Sequence, residues 1–263
     1  KVEGGSFNTW RAVLAYQPRE MSNQTFLAAE LYKTDGFGPS RAAQRASGIG
    51  QVLVPLGNEL SLRFQASTYF TRYSTAGVLL RSEVASGAVN RFSTYDPTQG
   101  GSASRTQVVA ELRRDGAGTS GALTAFFVYR TMQLRENFTG FLTSAEGDGQ
   151  QQLNDDAVVG FNGHYRARVE LFSKRDTIEA GVSGRGDFIN QSQRHVSNID
   201  NAVLATLAAA RVRGFNVGAW LDLALHPFWF LTVRGGLRLD GLGYFTQDAG
   251  GQARASQGLH VGP

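Results

Sequence analysis

From residue 215 to residue 225 the chain places Phe215, Val217, Ala219, Leu221, Leu223 and Leu225 at every second position, with Asn216, Gly218, Trp220, Asp222 and Ala224 between them. Successive side chains of a strand point to opposite faces, so this alternation predicts a strand with one apolar and one polar side. The same pattern runs over 60–71, where Leu60, Leu62, Phe64, Ala66 and Phe70 oppose Ser61, Arg63, Gln65, Ser67 and Tyr69. Segments 10–16, 106–112 and 178–185 repeat it, and less regular ones lie near 24–33, 45–54, 121–132, 156–168 and 229–240, about ten strands in all. In the last of these, Arg234 and Arg238 interrupt an otherwise apolar run, always on the opposite parity to Val233, Leu237 and Leu239.

The connections between these segments alternate in length. Short links are expected at 18–23, 55–59, 114–120, 169–175 and 226–228, with His226 beside Pro227 as a turn residue. Long ones fall between them at 34–44, 72–104, 133–155 and 188–210, and a polar tail starts at Gly241. A soluble sandwich spreads its loops over both ends, whereas an outer-membrane barrel has tight turns on one rim and extended loops on the other. Strands near the 9–11 residues of a tilted membrane strand fit the second case. The predicted fold is therefore all-β, an antiparallel transmembrane β-barrel with short periplasmic turns and long extracellular loops. The alternating arginines would face a wet or protein-filled lumen, and Trp10, Tyr16, Phe228, Trp229 and Phe230 would sit in interfacial girdles. The stretch "AVLATLAAA" (202–210) has helical composition and predicts a short surface helix.

Composition agrees: 32 glycines and 17 phenylalanines among 263 residues suit a β-rich chain. Without cysteine there is no disulfide framework. A net charge of +4, with arginines scattered through strands, argues against nucleic acid as a partner. No apolar run approaches the roughly 20 residues of a spanning helix.

Four stretches together resemble the barrel of TonB-dependent outer-membrane receptors: "TFLAAELYKTDG" (25–36), "NRFSTYDPTQGGSASRTQ" (90–107), "FFVYRTMQLRENFTGFL" (126–142) and "VRGGLRLDGLGYF" (233–245). The last is similar to the family strand in which Arg-x-Asp follows Gly-Gly-Leu and leads into an aromatic-ended loop. The resemblance implies a barrel of about 22 strands around a plug, of which residues 1–263 would be a part, with the plug domain and the C-terminal strands outside it. It implies uptake of a scarce ligand such as a ferric siderophore, powered through the TonB complex, which would engage the missing N-terminal region. The implied partners are outer-membrane lipid, the plug of the same full-length chain and that small-molecule ligand, and the implied location is the bacterial outer membrane. The competing reading is a passive porin or another small outer-membrane β-barrel.

Candidate ligand contacts in the long loops are Arg81, Arg91, Tyr95, Asp96, Arg135, Phe138 and Phe141, mixtures of cation and aromatic suited to an anionic or aromatic ligand. Candidate lumen residues are Arg63, Glu111, Arg113, Arg130, Arg234, Arg238 and Asp240, read as a charge ladder. No catalytic set, cofactor or metal is expected: His164, His195, His226 and His260 lie far apart, and none has a second ligand at metal-binding spacing. "GAGTSG" (116–121) precedes a strand, so it is a tight turn and not a nucleotide loop. "RGD" at 185–187 falls at a strand's exit and reads as chance.

Overall fold

The computed structural model describes residues 1–19, 24–142 and 144–262. It is a single antiparallel sheet of twelve strands in which every strand pairs with its neighbours in sequence. In chain order they are β1 (Val2–Gly5), β2 (Thr9–Tyr16), β3 (Phe26–Thr34), β4 (Ala43–Pro55), β5 (Leu60–Ser74), β6 (Gly100–Asp115), β7 (Thr119–Asn137), β8 (Gly149–Arg168), β9 (Thr177–Val196), β10 (Val203–Phe228), β11 (Leu231–Asp248) and β12 (Ala253–Gly262). One short helix, α1 (Arg81–Ser86), lies in the β5–β6 connection. The sheet is not closed: β1 and β12 each have one neighbour.

Register carries the alternation from strand to strand without loss. Leu62 faces Val54 and Leu112, Leu123 faces Leu112 and Gly163, and Leu221 faces Ala180 and Leu237. Each apolar parity thus joins the next into one continuous apolar face, because a slip of one residue would turn a whole strand over. Among the described residues nothing of the protein packs upon that face. Val158 and Val196 are the only buried apolar side chains among the described residues, while Leu14, Leu31, Val159, Leu221 and Leu237 stay exposed. A compact protein of 28.4 kDa would show about 11,000 Å² of surface; this sheet shows 16605 Å².

Several expectations need correction. Two strands lie beyond the expected ten: β1 is only four residues long, and β12 alternates weakly, with Gln257 among Ala253, Ala255, Leu259 and Val261; β12 is held by its ladder with β11, from Gln247↔Ala253 to Arg238↔Gly262. The polar tail expected from Gly241 is therefore the rest of β11 and then β12. Residues 203–210 are strand, not helix, because β9 offers them a ladder and alanine's helix preference, below about 1 kcal/mol per residue, cannot match continuous pairing. Shifts in register between Val203 and Ala205, and between Thr206 and Ala208, absorb the mismatch. His226 and Pro227 belong to the end of β10, where the ladder with β11 shifts between Leu225 and Phe228; the turn itself is Trp229 and Phe230.

The length alternation also weakens. Strands extend into the expected long loops, so residues 197–202 form a shorter link than residues 169–176 on the opposite rim. The asymmetry moves into the strands, which reach 20 residues in β8 and β9 and 26 in β10. At about 3.3 Å per residue and a tilt near 40°, these far exceed the ~25 Å apolar band of an outer-membrane barrel. The short link expected at 18–23 lies largely outside the described residues.

At the short-turn rim a buried carboxylate joins two hairpins. Asp176, fully buried, accepts the backbone N–H groups of Phe172 (2.6 Å) and Ser173 (2.9 Å) within its own turn and that of His226 (2.7 Å) at the end of β10. Burial alone would raise its pKa, but those three amides and the Ser173 hydroxyl outweigh it and hold the carboxyl well below the usual carboxylate range.

Two neighbouring positions of β8 test the two-faced sheet. In the full-length protein folded into lipid vesicles, Val159→Arg on the apolar face is expected to lower unfolding stability by about 2–4 kcal/mol. Asn162→Arg on the polar face is expected to leave it nearly unchanged, and urea titration followed by tryptophan fluorescence distinguishes the two.

Candidate functional site

Three connections of the long-loop rim, 75–99, 138–148 and 197–202, are drawn together by one buried polar cluster. Asp96 is its hub: Oδ1 accepts the Thr98 amide (2.8 Å) and hydroxyl (2.5 Å), and Oδ2 accepts the side-chain amides of Asn137 (3.0 Å) and Asn198. Gln99 accepts the Asn137 backbone N–H at 2.8 Å, and Asn137 Oδ1 accepts that of Asp148 at 3.1 Å. All of Asp96, Gln99, Asn137 and Asn198 are buried. Burial pushes the Asp96 pKa up, yet the hydrogen bonds from Thr98, Asn137 and Asn198 prevail and leave it below its ordinary value. Gly147 sits at φ 80° against Asn137 and Asn198, where a Cβ would stand 3.0 Å from both side chains, so the close approach requires glycine.

Arg135 adds a second tie. It is nine-tenths buried, donates to the Ser197 carbonyl at 3.1 Å and to Asn201, and so fastens the end of β7 to the β9–β10 connection. Tyr95 is occupied too: its hydroxyl donates to Glu83 and accepts the Leu80 N–H at 3.2 Å, anchoring α1. Of the loop residues singled out from sequence, Tyr95, Asp96 and Arg135 are thus held by partners within the protein, whereas Arg81, Arg91, Phe138 and Phe141 are exposed.

Arg91 belongs to a cation–aromatic cluster whose other members sequence reading missed. Its guanidinium lies 4.8 Å from the Phe92 ring centre. Arg41, from the β3–β4 connection, lies 5.1 Å from the Phe37 ring centre and 5.9 Å from that of Phe92, and donates to the Phe92 carbonyl at 2.7 Å. Phe37 and Phe92 meet edge to face at 5.9 Å. Two loops 51 residues apart in sequence therefore present two arginines and two phenyl rings side by side. The isolated Phe-Gly and Ser-Arg pairs of 37–41 carried no signal of this, since the partners come from another hairpin.

The seven residues read as a charge ladder share the polar face by register. Arg63 pairs with Glu111 (2.8 Å) and Arg130 with Asp156 (3.1 Å) across adjacent strands, Arg234 reaches Asp222 (3.0 Å), and Arg238 and Arg113 pair along their own strands with Asp240 (2.6 Å) and Asp115 (2.8 Å). Glu30 holds both Arg11 and Arg45 on the same face. Arg185 of the "RGD" tripeptide pairs with Asp187 at 2.6 Å within β9, and residues 116–118 of "GAGTSG" make the β6–β7 turn, closed by Gly116 N–H to Thr119 O at 2.8 Å. Among the described residues no cluster of three His, Asp or Glu has the geometry of a metal site.

This arrangement, a wide two-faced antiparallel sheet with paired charges on one side, is the fold of the barrel of TonB-dependent outer-membrane receptors. The ferric citrate transporter FecA in its unliganded form superposes with a TM-score of 0.68 over 97% of this chain at 11% identity. FpvA of P. aeruginosa, bound to pyoverdines, gives 0.70 over 99% at 12% identity, and the ferric yersiniabactin uptake receptor FyuA of Yersinia pestis 0.55 over 98% at 11%. The chain spans about two fifths of these proteins, from 38% of FecA and FpvA to 41% of FyuA. No protein-family model and no curated protein sequence matches it.

Removing the hub carboxylate is expected to loosen three loops at once. Asp96→Ala leaves the amides of Asn137 and Asn198 buried without an acceptor, at about 1–3 kcal/mol, and limited proteolysis of the full-length protein should then cut within 75–99, 138–148 and 197–202 together. The pH dependence follows from the depressed pKa of Asp96. Its contribution is complete above the unfolded value near 3.9 and is lost only as pH falls through the lower folded value, so the loops are expected to stay protease-resistant at pH 4 and to open below it.

Proposed function

We propose that this sheet is a section of the wall of an outer-membrane receptor that takes up a scarce ligand, a ferric siderophore or a related metal complex, with energy supplied through TonB. The observation that carries the reading is the continuous apolar face with no protein core against it. In water such a face and two free strand edges would aggregate; in a bilayer lipid covers the face and the remaining strands cover the edges. The polar face then lines the lumen, where the paired charges of Arg63, Glu111, Arg130, Arg234, Arg238 and Asp240 meet the plug of the same protein. Neutralised in pairs, they present hydrogen-bonding groups without a strong net field.

The ligand would be met at the long-loop rim. Arg41 and Arg91, with Phe37 and Phe92, offer cation and ring faces to an anionic, partly aromatic chelate, while Arg81, Phe138 and Phe141 stand exposed on connections of the same rim. Asp96 and Arg135 serve by fixing the loops that carry these groups. The likenesses to the ferric citrate transporter FecA, to FpvA bound to pyoverdines and to the ferric yersiniabactin uptake receptor FyuA support this class of cargo.

The test is uptake by cells that express the full-length protein under iron limitation. Uptake of a labelled ferric siderophore is expected to be saturable and to stop when the proton gradient is collapsed. Uptake that continues undiminished without the gradient would replace this reading with a passive pore. Arg91→Ala is expected to weaken ligand binding about three- to tenfold, the worth of an exposed to partly desolvated cation–π contact, as measured by fluorescence quenching on whole cells.

A further inference from the structure

The face that carries the apolar belt changes character along its length. On β5 it ends at Phe70 and continues as Arg72; on β9 it ends at Phe188 and continues through Asn190 and Ser192 to Arg194; on β10 Phe215 gives way, toward the long-loop rim, to Arg213 and Arg211. Arg213 stays at the boundary, its guanidinium 5.6 Å from the Phe188 ring centre and bonded to the Ile189 carbonyl at 3.2 Å. The other three are free. Among the described residues no ion pair engages Arg72, Arg194 or Arg211, whereas Arg63, Arg130, Arg234 and Arg238 of the polar face are all paired.

Concave space lies beside these free arginines. Arg194 and Arg211 line a cavity of about 720 Å³ with Gln133, Asn190 and Ser192, and Arg72 lines a neighbouring one of about 540 Å³ with Arg135. Two carboxylates also line the larger cavity, and both are engaged: Asp155 accepts the Tyr129 hydroxyl at 2.9 Å and Asp248 the Gln252 N–H at 2.8 Å. Unpaired guanidinium groups above a ring of aromatics, on a face that otherwise meets hydrocarbon, stand at the depth of lipid headgroups. Guanidinium binds phosphate in bidentate fashion, which water-exposed pairing with carboxylate does not pre-empt here.

We propose that this arginine band is a binding site for the phosphate groups of outer-leaflet lipid, Arg194 and Arg211 forming one phosphate seat and Arg72 an adjacent one. The inference rests on the placement of the sheet in an outer membrane. It assigns to the outer face of the wall a recognition role separate from the ligand loops, and it makes the lipid a specific partner and not only a solvent.

The experiment uses the full-length protein in detergent micelles, titrated with diphosphoryl lipid A, with the same lipid dephosphorylated, and with inorganic phosphate, bound lipid being counted by native mass spectrometry. The diphosphoryl lipid is expected to bind saturably and the other two not. Arg72→Gln, Arg194→Gln and Arg211→Gln should each weaken it about fivefold, Arg211→Lys, which keeps the charge but loses the bidentate fork, should weaken it less than Arg211→Gln, and Arg105→Gln on the polar face should change nothing. Equal binding of the dephosphorylated lipid, equal binding of inorganic phosphate, or unaltered affinity in all three Gln variants would overturn the proposal. Insertion into phosphatidylcholine vesicles, read by protease protection, separates the two levels: a protein that inserts but shows no phosphate selectivity refutes the lipid site alone, and one that fails to insert refutes the barrel and the site with it.

Discussion

Backbone hydrogen bonding between consecutive antiparallel strands is the constraint on which everything else in this protein rests. A segment facing hydrocarbon has no water to satisfy its N–H and C=O groups, so each must find a partner in the next strand. Here every strand pairs with its sequence neighbour and none crosses over, which keeps each residue on the face its parity assigns. The apolar belt, the paired charges and the loop rim are consequences of that single ladder. Stability is therefore not stored in a packed core, since only Val158 and Val196 are buried apolar side chains among the described residues. It comes from the ladder and from the surroundings of the apolar face.

The polar groups are organised differently at the two rims. On the short-turn rim one buried carboxylate, Asp176, collects amides from its own turn and from His226 of the next hairpin, so that adjacent hairpins are fixed in register at their bases. On the long-loop rim Asp96 does the same for three connections, but through side-chain amides of Asn137 and Asn198. In both places a charge is buried only because several donors converge on it, which is the condition under which a buried carboxylate is tolerated. The consequence for function is a rim whose loops are held as one unit, with Arg41 and Arg91 displayed beside Phe37 and Phe92 on its surface.

Both faces carry arginines, and their partners differ with position along the strands. On the polar face several arginines find carboxylates within the sheet, as Arg63 does in Glu111 and Arg130 in Asp156, while Arg105 bonds to the Gln107 side chain instead. Beyond the aromatic boundary of the apolar face, Arg72, Arg194 and Arg211 have no ion-pair partner among the described residues, though Arg194 and Arg211 line one cavity.

The alternation of residues by itself determined the fold class, the assignment of each central strand to its two faces, and the membership of Arg63, Glu111, Arg113, Arg130, Arg234, Arg238 and Asp240 in one charged face, because side-chain parity is a local property of an extended chain. It also pointed to the short turns, "GAGTSG" among them. What it could not decide were features that depend on a partner strand or loop. Residues 203–210 have the composition of a helix and become strand because β9 pairs with them; β12 has only a weak alternation, and its ladder with β11 fixes it as strand. Asp96 and Arg135 looked like ligand contacts from composition, and only the convergence of three loops showed them committed to Asn137, Asn198, Ser197 and Asn201. The pairing of Arg41 with Phe92, 51 residues away, was equally out of reach, since proximity between loops is set by the curvature and register of the whole sheet and leaves no local trace in the chain.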